Sequence, residues 1–258
     1  MPHPIIITDY SCTPRICGSL PEELWPVEEE RPVVLSIPVS IPGSDAHERW
    51  VKTFQDAHGG QFLKPFIEQH HVDPTGPIGL VGFSAGGWGI GQIIKNSGDA
   101  DAVGMLYVVD GMHGGWNGPQ PSYAERIHGE TWRVAHAGQH WIDFATSASR
   151  GERMMVVSYS EILPPTYPGT RETALALGAA VGAFPTSIDI GMPVWGQNGI
   201  GSLFLLGVNP PNHPPDGPEA HIFQANQVQE NVWRSLFEAW TRGYNLTATS
   251  MCIQGGVV

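Results

Sequence analysis

The sequence predicts an α/β fold in which a mainly parallel sheet is flanked by helices. Short, β-branched apolar runs recur along the 258 residues, and segments with helical periodicity separate them. The runs are nearly continuous in apolar residues, which is typical of strands buried on both faces. Hydrophobic residues make up 41% of the chain and charged residues 15%, the balance of a folded protein. We find no internal repeat, charge block or low-complexity linker, so residues 1–258 are expected to form a single domain.

The predicted strands and helices alternate along the chain. The strands are Pro4–Thr8, Pro32–Ile37, Ile78–Val81, Ala102–Val109, Met154–Tyr159 and Leu203–Val208. The helices are Asp45–Gln55, Gln61–His70, Gly86–Asn96, Ala124–Ala148, Thr170–Gly182 and Gln224–Arg242. Ala183–Ser202 fits neither pattern, and we expect an excursion or a partial cover over a site there.

Charge and hydropathy exclude several classes of partner. The formal net charge of -12 and the pI near 5.2 oppose binding to nucleic acid, because such affinity depends on neutralising phosphates with Lys and Arg. No stretch approaches the ~20 apolar residues that span a bilayer, and the N-terminus shows no signal peptide. We therefore expect a cytoplasmic or otherwise soluble protein. Cys12, Cys17 and Cys252 are too few for a disulfide framework; a Cys12–Cys17 bridge and free thiols both remain open.

The motif with the clearest chemistry is Gly82-Phe83-Ser84-Ala85-Gly86, between an apolar run and a helical segment. A nucleophile on a sharp strand-to-helix turn crowds the positions two before and two after it, so both must be small. Gly82 and Gly86 meet that need. A dinucleotide-binding turn is not supported, because GFSAGG lacks the GxGxxG spacing and no acidic residue near Asp101 closes a following strand.

This strand–turn–helix motif resembles the nucleophile elbow of serine esterases of the α/β-hydrolase superfamily, including acetyl-ester and dienelactone-type hydrolases. The resemblance extends over about residues 32–242. It implies a Ser–acid–His triad in that chain order and an oxyanion hole of backbone amides, without a cofactor or a metal. The chain before the elbow is short, so we expect reduced N-terminal strands. The spacing after Asp110 predicts no large cap.

That chain order places the catalytic histidine after the last strand of the sheet, in a loop. His221 in PEAHIFQ fits best, and His213 in the preceding Pro-rich loop is the alternative. The acid has two candidates, because the superfamily places it after either of two strands. Asp110 ends MLYVVDG, where a short carboxylate before a glycine can turn toward the site, and Glu161 ends MMVVSYSE. We favour Asp110 narrowly and keep Glu161 as the alternative acid.

The backbone amide of Ala85, directly after the nucleophile, is the first expected oxyanion donor. The second donor is expected after the run VVLSIP, at Val39 or Ser40. His113, Trp116 and Trp88 are candidates for lining the substrate pocket.

A metal site is not expected. His136 and His140 stand four apart on a predicted helix, yet HExxH is absent and no third ligand is apparent. A pair of surface histidines on one helix is the preferred interpretation.

The sequence thus predicts a hydrolase that cleaves carboxylic esters through an acyl-enzyme on Ser84, acting on small esters or acylated saccharides. An acyltransferase with the same triad is one alternative. A non-enzymatic binding or structural protein on this fold is another, and the oligomeric state stays open.

Overall fold

The computed structural model describes residues 3–9, 31–37, 60–183, 194–200, 203–208, 218–223 and Trp240. The strands are β1 (Ile5–Asp9), β2 (Val33–Ile37), β3 (Ile78–Phe83), β4 (Val103–Val109), β5 (Gly115–Trp116), β6 (Ala135–His136), β7 (Met154–Tyr159), β8 (Val194–Ile200) and β9 (Leu203–Val208). The helices are α1 (Leu63–Gln69), α2 (Ala85–Asn96), α3 (Tyr123–His128), α4 (Gln139–Ser149), α5 (Thr170–Ala180) and α6 (Pro218–Phe223).

A seven-stranded sheet in the order β2-β1-β3-β4-β7-β9-β8 forms the centre of the described chain. Every neighbouring pair from β2 to β9 is parallel, and only the edge strand β8 pairs antiparallel, with β9. The mainly parallel sheet with flanking helices is therefore confirmed. Each predicted strand is present, with its bounds shifted by two residues at most.

The apolar strands are buried on both faces of the sheet. Ile5 and Ile7 point to one face and Ile6 to the other, and all three are completely buried. On one face α2 and α4 pack so closely that a Cβ added to Gly91 would lie only 2.6 Å from the indole of Trp141. Burial on both faces explains why the strand sequences lack the alternation of half-exposed strands.

The order of the strands reverses between β1 and β3, and a binding site is expected at the carboxyl ends of these strands. The chain runs from β1 outward to β2 and then returns to place β3 on the other side of β1. Ligands bind in the crevice beyond the carboxyl ends of parallel strands at such a reversal. Ser84 follows β3 directly, so the motif identified in the sequence lies at this crevice.

The predicted helix Ala124–Ala148 is wrong. The structure divides this segment into α3, a 3-10 turn at Thr131–Arg133, the short strand β6 and α4. Gly129 ends α3, and Gly138 precedes α4 with φ of 75°, a left-handed conformation that interrupts a helix. β6 pairs with β5 as a two-stranded antiparallel ribbon, which the helical periodicity did not indicate.

Other expectations are corrected or lie outside the described chain. The unassigned segment Ala183–Ser202 contains the edge strand β8. The predicted helix Asp45–Gln55, the three cysteines and His213 lie outside the described residues, as does all of Gln224–Arg242 except Trp240. In the part of the chain that is described, no helix has the length and apolar character required to cross a membrane.

Candidate active site

Ser84 occupies a strained turn between β3 and α2. Its φ and ψ are 54° and -121°, a region of the backbone map that residues other than glycine rarely enter. Such conformations cost ~1–3 kcal/mol and are concentrated at functional sites. The turn brings Ser84 beyond the carboxyl end of the sheet, at the start of a twelve-residue helix.

Close backbone contacts hold this turn in place. A Cβ on Gly82 would lie 2.6 Å from the Gly86 backbone, and a Cβ on Gly111 would lie 2.5 Å from the Ser84 carbonyl oxygen. Neither position has room for a side chain. The sequence pattern indicated the need for Gly82, whereas Gly111 is required by a contact with a loop from another strand.

The start of α2 supplies the local electrostatics. Ala85 is the first residue of the helix, and the Gly87 amide donates to the Ser84 carbonyl at 3.0 Å. Helix N-termini present amide groups and a partial positive charge, which favour a nearby anion. The predicted role of Ala85 as an oxyanion donor stays a prediction, and its position is suitable for that role.

Asp110 follows β4 with φ of 42° and is 2% exposed. Its Oδ1 accepts hydrogen bonds from the Ser160 amide at 2.9 Å, the Ser160 hydroxyl at 3.0 Å and the Thr170 hydroxyl. Burial alone would raise the pKa of Asp110, but bonding to His221, Thr170 and Ser160 together holds this pKa below its ordinary value. The carboxylate is therefore ionised at neutral pH.

His221 completes the group. Its Nδ1 lies 2.6 Å from Asp110 Oδ2, and its ring stacks on Phe83 with ring centroids 4.4 Å apart. Because Nδ1–H donates to the carboxylate, the lone pair of the neutral ring is on Nε2. The geometry thus sets the orientation of His221 beside the turn that carries Ser84, and the ionised carboxylate selects the tautomer with its proton on Nδ1. His221 belongs to the short helix α6, whereas the sequence predicted a loop position.

Glu161, the alternative acid, has a different neighbour. Its Oε1 lies 3.9 Å from Arg171 Nε, and its side chain is one-third exposed. The structure therefore brings Asp110, and not Glu161, to His221.

Ser84, Asp110 and His221 share one cavity of about 460 Å³. Its other lining residues are Ala85, Trp88, His113, Ser160, Ile162, Pro164, Tyr167 and Thr170. Much of the wall is apolar or aromatic, and the volume lies within the range of small-molecule sites. Of the predicted pocket residues, Trp88 and His113 line the cavity. Trp116 is not among the described residues that do, and its ring lies under the Arg126 guanidinium, 5.2 Å from the centroid.

A buried ion pair supports the cavity wall. Arg126 and Glu172 are each 2% exposed, and Nη2 lies 2.7 Å from Oε2. Arg126 also donates to the carbonyl oxygens of Pro164, at 2.5 Å, and Tyr167, at 3.2 Å. These bonds attach the segment carrying Pro164 and Tyr167 to the rest of the fold. Sequence reasoning missed this pair, since its partners are 46 positions apart.

His113 lies in the wall beside Ser84. Burial is the main cause that lowers the pKa of His113, and it outweighs the nearby Asp110 carboxylate, which acts to raise that pKa. The ring is therefore neutral at pH 7. Its edge meets Tyr167 at right angles, with centroids 5.4 Å apart. This contact joins the wall that follows β7 to the loop that follows β4.

The residues expected to supply the second oxyanion donor are not among those that the structure describes. Val39 and Ser40 lie outside the described chain. They follow β2, and β2 is separated from the elbow strand β3 by β1. β1 itself pairs with β3, and Thr8 is opposite Val81. The carboxyl end of β1 is thus one strand nearer to the elbow strand β3 than the carboxyl end of β2 is.

The two histidines four residues apart do not share a helix. His136 is in β6, and His140 is in the first turn of α4. Among the described residues, no group of three or more His, Cys, Asp or Glu side chains is arranged to hold a metal ion.

The chain matched no protein-family model, and searches of curated proteins and of solved structures likewise returned no match.

Proposed function

We propose that this protein is a serine hydrolase that cleaves carboxylic esters through an acyl-enzyme on Ser84, in an α/β-hydrolase fold. One observation carries the proposal: the ionised Asp110 orients His221 at 2.6 Å, and both line the cavity of the strained Ser84. A nucleophile, a base and an acid that orients the base are the components of this chemistry.

The first half of the reaction forms the acyl-enzyme. His221 Nε2 takes the proton of the Ser84 hydroxyl as the oxygen attacks the ester carbonyl carbon. The carbonyl oxygen becomes an anion, which the Ala85 amide and the N-terminus of α2 stabilise. Asp110 stays ionised and stabilises the imidazolium of His221. The tetrahedral intermediate then expels the alcohol, which leaves with the proton from Nε2.

The second half returns the enzyme to its starting state. His221 takes a proton from water, and the resulting hydroxide attacks the acyl carbon on Ser84. The new tetrahedral intermediate collapses, the bond to the Ser84 oxygen breaks, and that oxygen regains its proton from Nε2. The products are one carboxylic acid and one alcohol for each ester and water consumed.

The strand arrangement supports the α/β-hydrolase assignment. Serine, acid and histidine follow β3, β4 and β9 in that chain order. Within the described chain two strands, β1 and β2, precede the elbow strand; the reduced N-terminal sheet stays a prediction, because residues 10–30 and 38–59 lie outside that part of the chain.

Hydrolysis of para-nitrophenyl acetate and para-nitrophenyl butyrate tests the proposal. We expect turnover by the wild type and its loss in Ser84→Ala, which removes only the nucleophilic oxygen. Glu161→Gln is the matched control and should retain activity, since Glu161 lies against Arg171. Equal turnover by wild type and Ser84→Ala would reject Ser84 as the nucleophile.

A further inference from the structure

A second concave region adjoins the candidate active site. It is an open groove of about 800 Å³ along α2 and α4, with Ile94 and Lys95 on one side and Gln139, Asp143 and Ser147 on the other. The groove follows most of α4, an eleven-residue helix that is ~16 Å long. Its size therefore suits an extended ligand.

One residue borders both the groove and the catalytic cavity. His113 lines each of them, and Gly114 and Gly115 continue from it along the groove. The groove and the cavity therefore adjoin at His113. A long substrate with its ester at Ser84 would have to pass His113 to reach the groove along α4.

The charges in the groove are balanced. Arg153 pairs with Asp101, Nη2 to Oδ1, at 3.1 Å, and its guanidinium lies 5.1 Å from the centroid of the Phe144 ring. The other charged groups, Lys95 and Asp143, have opposite signs. With two cations and two carboxylates, the lining offers no net attraction to an anionic or a cationic ligand.

Apart from these charges, the lining combines small and apolar residues with histidine rings and neutral hydrogen-bonding groups. Burial is the main reason that the pKa of His140 falls to about 4, so its ring is uncharged at pH 7. The ring of His136 lies against Gly115, and a Cβ added to Gly115 would be 2.5 Å from that ring. Gln139 donates to Asp143 at 2.8 Å and, like Ser147, adds polar atoms to the lining. Histidine rings, small apolar residues and neutral hydrogen-bonding groups together suit a ligand that is uncharged and rich in hydroxyl groups.

We propose that this groove binds the alcohol side of the substrate as a neutral saccharide chain, while the acyl group occupies the catalytic cavity. The proposal rests on the esterase function proposed above. It assigns the apolar wall of Trp88, Ile162 and Tyr167 to the acyl group and the α4 groove to the sugar units.

Binding is tested without catalysis by calorimetric titration with neutral hexasaccharides, namely xylohexaose, cellohexaose, mannohexaose and chitohexaose. We expect at least one to bind the wild type and to bind about tenfold more weakly to Ser147→Trp, because the indole fills the groove. Gln139→Trp blocks the groove nearer His113 and provides a second variant should the first fail to fold. Gln69→Trp, on the exposed end of α1, is the control and should bind as the wild type does.

The binding experiment overturns the inference in two cases: no hexasaccharide binds, or the two blocking variants bind as tightly as Gln69→Trp. The kinetic counterpart uses acetylated disaccharide and hexasaccharide forms of the sugar that binds. We expect the wild type to prefer the hexasaccharide in kcat/KM and Ser147→Trp to lose that preference. If the wild type turns over para-nitrophenyl acetate but shows no preference between the acetylated disaccharide and hexasaccharide, the groove is rejected and the esterase proposal stands. Hexasaccharide binding without any ester turnover would reject the esterase and, with it, the assignment of the groove to the alcohol side of an ester.

Discussion

The imidazole of His221 meets the carboxylate of Asp110 across 111 positions of the sequence, with Nδ1 2.6 Å from Oδ2. Three hydrogen bonds to Oδ1 hold the same carboxylate from the other side, so Asp110 has little freedom to move. Asp110 and the proposed nucleophile Ser84 both have left-handed backbone conformations. In the proposed mechanism, this arrangement orients the base before substrate arrives.

Asp110→Asn is expected to reduce kcat by about 10³–10⁴ with a small change in KM. The amide keeps the shape of the side chain, but its NH₂ can take the place of the carboxylate oxygen that accepts from His221 Nδ1. His221 then has its proton on Nε2, so Nε2 has no lone pair with which to act as the base. Steady-state kinetics on para-nitrophenyl butyrate measures the effect. If Glu161→Gln shows the larger loss, the acid has been assigned to the wrong residue.

Gly111→Ala is expected to lower both stability and kcat. The new Cβ would lie 2.5 Å from the Ser84 carbonyl oxygen, so the turn must shift, at a cost of ~1–3 kcal/mol. Urea denaturation and ester turnover report the two effects. Gly151→Ala is the matched control: its φ of 77° imposes strain but no atom is within contact range, so kcat should be retained. Full activity in Gly111→Ala would show that this contact does not position the nucleophile.

Arg126→Met is expected to destabilise the fold by ~3–5 kcal/mol, because it leaves Glu172 buried without its cation. The double variant Arg126→Met, Glu172→Leu should recover much of that loss, since it removes both charges. Denaturant unfolding of both variants measures the free energies. We also expect a raised KM in the single variant, as the wall carrying Pro164 and Tyr167 loses two hydrogen bonds. A stable single variant with unchanged KM would contradict the role given to this pair.

His140 should make stability depend on pH between about 6.5 and 4. The folded protein holds the pKa of His140 at about 4, whereas 6.5 is the ordinary value. In that window the unfolded chain binds more protons, so stability is full above pH 6.5 and is lost as the pH falls toward 4. Thermal unfolding across this range should show a smaller decline for His140→Gln. Superimposable profiles for the two proteins would disprove this origin of the pH dependence.

The strands of the sheet could be predicted from the sequence because most of them are continuous apolar runs, such as Met154–Tyr159. The edge strand β8 was not, because its sequence VWGQNGI is rich in glycine and polar residues and pairs with only one neighbour. The helix predicted over Ala124–Ala148 had suitable periodicity, yet Gly129 and Gly138 divide it. Local patterns therefore identified the central elements and failed at the periphery.

The candidate site was accessible to sequence reasoning where the chemistry is local. The elbow at Ser84 is contained within a few residues, and chain order restricted the search for acid and histidine. The supporting groups were not accessible, because Thr170 and Ser160 reach Asp110 from 60 and 50 positions away. The second oxyanion donor expected at Val39 or Ser40 stays a prediction, because both residues lie outside the described chain. The order of strands across a sheet cannot be deduced from the sequence. Only the pairing of β1 with β3 reveals which strand lies beside the elbow.

The central claim, an activated serine at position 84, is tested most directly by intact-mass measurement after incubation with a fluorophosphonate. The account predicts one covalent adduct on the wild type, mapped to the peptide that contains Ser84, with Ser84→Ala unlabelled and His221→Ala labelled far more slowly. A folded wild-type protein that acquires no adduct, or acquires it equally in Ser84→Ala, would contradict the account.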